Sequence, residues 1–233
     1  MRHDERERVR EIIRILTQRY PGAKTSLNFS TPFQLLIATI LAAQCTDAKV
    51  NEVTKTLFKK YPEPSDFANA DPGELEADIR PTGFFRQKAK AIIQASQDIV
   101  SDYGGKLPDD MEELTELRGV GRKTANVVLG SAFGKPAVIV DTHVLRISGR
   151  LRLTDPRYAE KKQAEKVEQD LIEIVPREDW TLFSHMLVAL GREICTAKKP
   201  KHDICPIIHL CPTGQADLLD VRRCCPRGGR TLP

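Results

Sequence analysis

Lys123 stands at the start of a helical pattern, directly after Gly119-Val120-Gly121, in the stretch LRGVGRKTANVV. A cation there is disfavoured, because the helix dipole already makes that end positive. An anion bound at this end would remove the conflict, and so would an uncharged lysine. Gly119 and Gly121 are expected to take backbone angles closed to other residues and to form a tight turn between two helices. The helix that follows exposes unpaired N–H groups. Together these suit a phosphate, held by main chain in a contact that reads no sequence. Lys123, close to Arg122 and expected to be partly desolvated, would give up its proton readily, and a neutral amine can attack a sugar carbon to form a Schiff base.

Asp141 is the second such residue. It ends the apolar run of VIVDTHV and opens a helix. A plain N-cap is the common role for aspartate there. A carboxylate at the edge of a cleft could also stabilise a positively charged sugar and take part in proton transfer. His143, in the first turn of that helix, suits structure or a DNA contact better than catalysis. Taken singly, a turn, a surface lysine and a helix cap account for these residues.

The elements that must position them read as helices. RERVREIIRILTQRY places Val9, Ile12, Ile13 and Leu16 on one face before Pro21-Gly22. TPFQLLIATILAAQ has a Thr31 cap and Pro32 in the first turn, and its apolar residues on most sides predict a central buried helix. TDAKVNEVTKTLFKKYP, DPGELEADIR, FFRQKAKAIIQASQDIVSDYGG and DDMEELTEL continue the pattern up to the hairpin. PAVIVDTHVLRISGRL passes from an extended run into a helix, and DPRYAEKKQAEKVEQDLIEIVP and EDWTLFSHMLVALGREICT are two more. The C-terminal stretch looks loosely ordered, with a disordered end. Few strand signals survive, so an all-α fold is expected.

The 233 residues suffice for one large or two modest domains, and the formal net charge is +4 at pH 7. This excess is too small to imply nucleic acid by itself, but its placement says more. Arg80, Arg86, Lys88 and Lys90 fall together, as do Arg118, Arg122 and Lys123, and Arg192, Lys198, Lys199 and Lys201. Such patches can grip phosphates on a near-neutral protein, and solvated helix faces would look the same. No apolar run is long enough for a membrane span, and the charged start lacks a signal-peptide core. A soluble intracellular monomer, cytoplasmic or with the nucleoid and away from membranes, is expected.

LRGVGRKTANVVLGSAFG, VDTHVLRISGRL and GREICTAKKP with its cysteines resemble the endonuclease III family of DNA glycosylase/lyases, over roughly Glu5 to Pro212. The resemblance implies two helical domains with DNA bound across the cleft between them. One is a six-helix domain, 25–136, carrying the helix-hairpin-helix. The other joins 1–24 to 137–213 and carries an iron–sulfur loop, with 214–233 as a partly disordered tail. It implies removal of oxidised pyrimidines from double-stranded DNA and cleavage at abasic sites, with Lys123 as nucleophile and Asp141 as its carboxylate. The target base must leave the stack. Gln44 matches the family's wedge into the vacated space, and Phe84 falls where a second, apolar wedge belongs, although a core phenylalanine would read the same way. DNA contacts are expected from Gln44, Phe84, Arg118, Gly119, Val120, Gly121, Arg122 and His143. Arg118 stands where the family usually has proline, which costs turn rigidity and adds a cation near DNA. Adenine-mismatch relatives lack the lysine and carry a glutamate before the wedge, whereas Ile37 to Ala43 hold no carboxylate; thymine-mismatch relatives commonly have tyrosine for the lysine. Two readings compete: a non-catalytic helix-hairpin-helix DNA-binding module, which would need neither Lys123 nor Asp141, and a glycosylase/lyase of altered lesion range, since Arg118, Phe84 and His202 are departures or variable points.

The family's metal spacing is C-x6-C-x2-C-x5-C. Here Cys195, His202, Cys205 and Cys211 keep the spacing with histidine in second place. Three thiolates and an imidazole can hold a 4Fe-4S cluster. The same set suits tetrahedral zinc. Cys224 or Cys225 could instead supply the fourth thiolate, or the site could be lost. Cys45 is expected in the core.

Overall fold

A computed structural model describes residues 2–224, with side chains described over 4–219. The chain begins with α1 (Arg2–Arg19). A continuous series follows: α2 (Pro32–Leu41), α3 (Asp47–Lys60), α4 (Pro64–Ala68), α5 (Pro72–Ile79), α6 (Phe85–Tyr103), α7 (Met111–Glu116) and α8 (Arg122–Ser131). Then come α9 (Thr142–Arg150), α10 (Arg157–Glu160), α11 (Ala164–Ile174), α12 (Trp180–Glu193) and α13 (Pro212–Cys224), with short 3₁₀ turns between some of them. Among the described residues there is no strand.

Two compact units divide the chain: residues 24–137 form one, and the first 23 residues with those from 138 onward form the other. In the first, α2 is capped by Thr31, whose hydroxyl accepts from Gln34 N at 3.2 Å. Leu35, Leu36, Ile37 and Leu41 on this helix are fully buried. Burying each such side chain is worth about 1.5–3 kcal/mol, which explains why the sequence spends so few polar residues there. Phe67, Leu75, Ile79, Ile92, Ile99 and Val128 complete that core. The second unit packs Val9, Ile12 and Leu16 of α1 with Val144, Ile147, Leu171, Phe183, Met186 and Leu187.

Three local readings need correction. The helix expected over 155–176 breaks in two at Lys162, whose φ of 53° lies in the left-handed region. The helix α4 escapes the apolar periodicity because it is only five residues long. The stretch beyond Cys211 is helical to Cys224: Pro212 occupies its first position, where a missing N–H costs nothing. Residues 225–233, with Cys225 and the end expected to be disordered, lie outside the described residues, as does the side chain of Cys224. The run Ala137–Val140 is buried, outside any helix. Ser184 Oγ accepts from Ile139 N at 3.0 Å, which satisfies one of its amides.

Candidate active site and metal loop

The hairpin joins α7 to α8. Asp110 caps α7, accepting from Glu112 N at 2.8 Å. Val120 N then donates to Leu117 O at 3.0 Å to close the turn. Leu114, Leu117, Val120, Ala125 and Val128 are buried and hold the two helices together. Gly119 sits at φ +84°, and a Cβ there would come 2.8 Å from Ala91 Cβ of α6. Only glycine meets both demands. Gly121 differs from expectation: its φ is −93°, in the ordinary extended region, and a Cβ would meet open space. Its effect is to leave the start of α8 without a side-chain cap. The N-cap position itself therefore brings no side chain to compete with an anion there.

Lys123 lies in the first turn of α8 and is exposed, not partly buried as expected. The hairpin offers no side chain at Gly119 or Gly121 to cover it. Arg118 also departs from the simple picture of a free cation. Its Nε reaches Asp98 Oδ1 at 2.9 Å, its Nη2 reaches the same oxygen at 2.5 Å, and its amide donates to Oδ2 at 3.0 Å. The Arg118 hydrogen bond holds the Asp98 carboxyl below its ordinary value. A bidentate pair thus ties the turn to α6 and supplies stiffness that a proline would otherwise give.

Gln44 and Phe84 are both exposed, and Phe84 is 55% accessible, which excludes the core reading. Both lie in the left-handed region, at φ 53° and 49°. With Gly119, Thr124 and Lys88 they border one cavity of about 270 Å³. Wedge candidates and hairpin therefore meet on the same unit. Cys45, next to Gln44, is only partly buried, because the chain leaves α2 there and rises to the surface.

Asp141 caps α9 and is itself held tightly. One carboxylate oxygen accepts from His143 N at 2.8 Å and Val144 N at 2.9 Å, and the other stands 2.9 Å from His143 Nδ1. The side chain remains 21% accessible. The capping and charge-bearing roles are thus compatible in one geometry. Behind it, Gly191 of α12 admits the imidazole: a Cβ there would come 2.7 Å from His143 Cδ2. Burial pushes His185 below its ordinary value, with Asp141 acting in the opposite sense.

The other end of α9 holds the cysteine loop. Arg150 Nη1 donates to Cys195 Sγ at 3.2 Å and Thr196 O at 2.7 Å, and its Nη2 donates to Ala197 O at 2.8 Å. Arg146 Nη2 donates to Cys195 O at 3.0 Å. Arg8 Nη1 joins Leu151 O at 2.7 Å to Leu210 O at 3.1 Å. These arginines were not legible as loop supports, since their partners lie more than forty residues away. Cys195, His202, Cys205 and Cys211 line one small apolar cavity. Gly214 N donates to Cys211 Sγ at 3.4 Å. Asp217 stands 3.7 Å from His202 Nε2, and a carboxylate beside one ring nitrogen suits an imidazole used as a ligand through the other. Burial pushes the Cys205 and Cys211 thiols up, so without a metal they keep their protons. Among the described residues no three such side chains converge on a point that would hold a single ion. The donor set, soft and enclosed, fits an iron–sulfur group.

Comparison with known proteins decides the family. Residues 37–177 match the HhH-GPD superfamily of base excision DNA repair proteins, and residues 195–211 match the iron–sulfur binding domain of endonuclease III. Endonuclease III of Synechocystis is 49% identical over 216 residues, covering 91% of this chain and 95% of that protein. Endonuclease III of Bacillus subtilis is 48% identical, covering 84% and 88%. The chain belongs to the endonuclease III family. A solved structure of a trapped endonuclease III–DNA covalent intermediate superposes with a TM-score of 0.84 at 42% identity, covering 91% of this chain and 98% of that one. Membership makes the chain an enzyme of base excision repair, a DNA glycosylase and abasic-site lyase, with an iron–sulfur loop. No helix among the described residues is long and apolar enough to cross a membrane.

Proposed function

We propose that this protein is a bifunctional N-glycosylase that removes oxidised pyrimidines from double-stranded DNA and cleaves the abasic site by Schiff-base β-elimination. The observation that carries the reading is an exposed Lys123 in the first turn of a helix whose N-cap is a glycine. Backbone amides of the hairpin take a phosphate of the damaged strand, and Gln44 and Phe84 fill the space left by the flipped nucleotide. The Lys123 amine attacks the sugar C1′ through its nitrogen lone pair as the bond to the base breaks. The bonding pair leaves with the base, which takes up one proton lost by the amine, and Asp141 stabilises the cationic sugar. Transfer of the remaining N–H proton to O4′ opens the ring and gives the Schiff base. Loss of a proton from C2′ then expels the 3′ phosphate, and water releases the enzyme.

Cys195, His202, Cys205 and Cys211 would hold a four-iron cluster in this reading, and bound there it would fix the loop that presents the exposed Lys198, Lys199 and Lys201. The working enzyme acts inside the cell, on chromosomal DNA.

Duplexes carrying thymine glycol, a plain mismatch or a preformed abasic site, incubated with the protein and borohydride, test the proposal. Covalent adducts are expected with the first and third only. Adducts formed on the mismatch, with none on thymine glycol, would assign a different lesion range.

A further inference from the structure

Lys88 is 5% accessible, although lysine is among the residues least often buried. It spends its ammonium group on main chain: Nζ donates to Leu41 O at 2.7 Å and to Thr82 O at 2.8 Å. Leu41 is the last residue of α2, and Thr82 ends the 3₁₀ turn Arg80–Thr82. Both carbonyls are therefore at helix ends, where acceptors lack intrahelical donors and a cation is favoured. Gln44 lies three residues beyond the first carbonyl, and Phe84 two residues beyond the second. The amide of Lys88 itself donates to Phe84 O at 3.1 Å. One residue thus holds both segments whose next turns enter the left-handed region at non-glycine positions. Such conformations cost energy and persist only where the surroundings over-determine them.

We propose that Lys88 is a positioning residue that cross-links the two wedge loops, so that Gln44 and Phe84 act as one rigid element when a base is displaced. This rests on the reading of those two residues as wedges. A side chain pushed against a stacked base meets resistance of a few kilocalories per mole; on a loose loop it would be pushed back instead. Burial lowers the Lys88 pKa, the expected consequence of placing an ammonium where carbonyl dipoles rather than water must stabilise it. A leucine or methionine would fill the same space more cheaply, but would leave both carbonyls without this donor and the two loops uncoupled.

A double-mutant cycle on the full-length protein tests the proposal, with Lys88→Met, the pair Gln44→Ala with Phe84→Ala, and all three together. The readouts are single-turnover excision of thymine glycol and the fluorescence of 2-aminopurine placed opposite the lesion, which reports unstacking. Lys88→Met is expected to slow excision by about tenfold or more and to reduce the fluorescence change, yet to add little in the background already lacking both wedges. Equal slowing in the two backgrounds, with the wedge pair itself impaired, would overturn the role of Lys88 and leave the wedge reading standing. Undiminished excision by the wedge pair alone would overturn the wedge reading and the inference with it. Lys88→Arg, which keeps a buried cation but changes the donor geometry, carries the same cycle if Lys88→Met fails to fold.

Discussion

The hairpin and the cysteine loop are both short irregular segments that carry function, and they are held in opposite ways. The hairpin is complete in protein contacts alone. Five buried apolar side chains, one obligatory glycine and the Arg118–Asp98 pair define it without any ligand. The cysteine loop has no comparable core of its own. Its backbone hangs on Arg146, Arg150 and Arg8 from neighbouring helices, and its half-buried cysteines line one small cavity. The first is a site formed by packing, and the second completes itself when a soft metal group joins the ligands.

The largest effect expected from that contrast is on the loop. Cys205→Ser should abolish iron binding and open residues 196–204 to protease, with α2–α8 left protected; iron and protection both retained would contradict it. His202→Cys should keep the iron, measured per chain by absorption and metal analysis. A purified parent protein containing one zinc and no iron would overturn the cluster and leave Lys123 and Asp141 unaffected, since their proposed roles need no metal.

The next effect is on the hairpin. Gly119→Ala must adopt a left-handed backbone and push Ala91 aside, for a loss of roughly 2–4 kcal/mol in thermal or denaturant unfolding. Gly121→Ala, two residues away, should cost about 0.5 kcal/mol or less. Equal losses at the two positions would mean that the turn is not defined by Gly119.

The smallest is at Arg118. The pair it makes with Asp98 is half exposed on the arginine side, so solvent screens it and its contribution is small. Asp98 ordinarily titrates near 3.8 and is held lower in the folded state. The stability it adds is therefore fully present above pH 3.8 and is lost as the pH falls through the folded value. Arg118→Ala should melt slightly below the parent at neutral pH, and the gap should close under acid. A gap that persists unchanged at low pH would assign the stabilisation to packing of the arginine stem.

The sequence made the helices legible wherever an apolar face repeated over two turns or more, as in α1, α2 and α12. It did not show α4 or the break at Lys162, where segments of four or five residues carry too little periodicity. At the site, residue types and spacing singled out Lys123, Asp141 and the cysteine set. What they could not show was which groups support them. Lys88 read as one more cation in a basic patch, Arg118 as a free charge, and Arg146 and Arg150 as ordinary helix residues. Each acts through a partner distant in sequence, and such pairings exist only once the helices have packed. Gly119 and Gly121 looked alike for the same reason: the left-handed backbone and the approach of Ala91, both at Gly119 alone, separate them.

The central claim, that Lys123 supplies the nucleophile, is tested most directly by borohydride trapping on an abasic-site duplex. The parent protein should form a covalent adduct that mass spectrometry maps to Lys123. Lys123→Gln should bind the same duplex and form none. A Lys123→Gln protein that is trapped in undiminished yield would place the Schiff base on another amine and contradict the account.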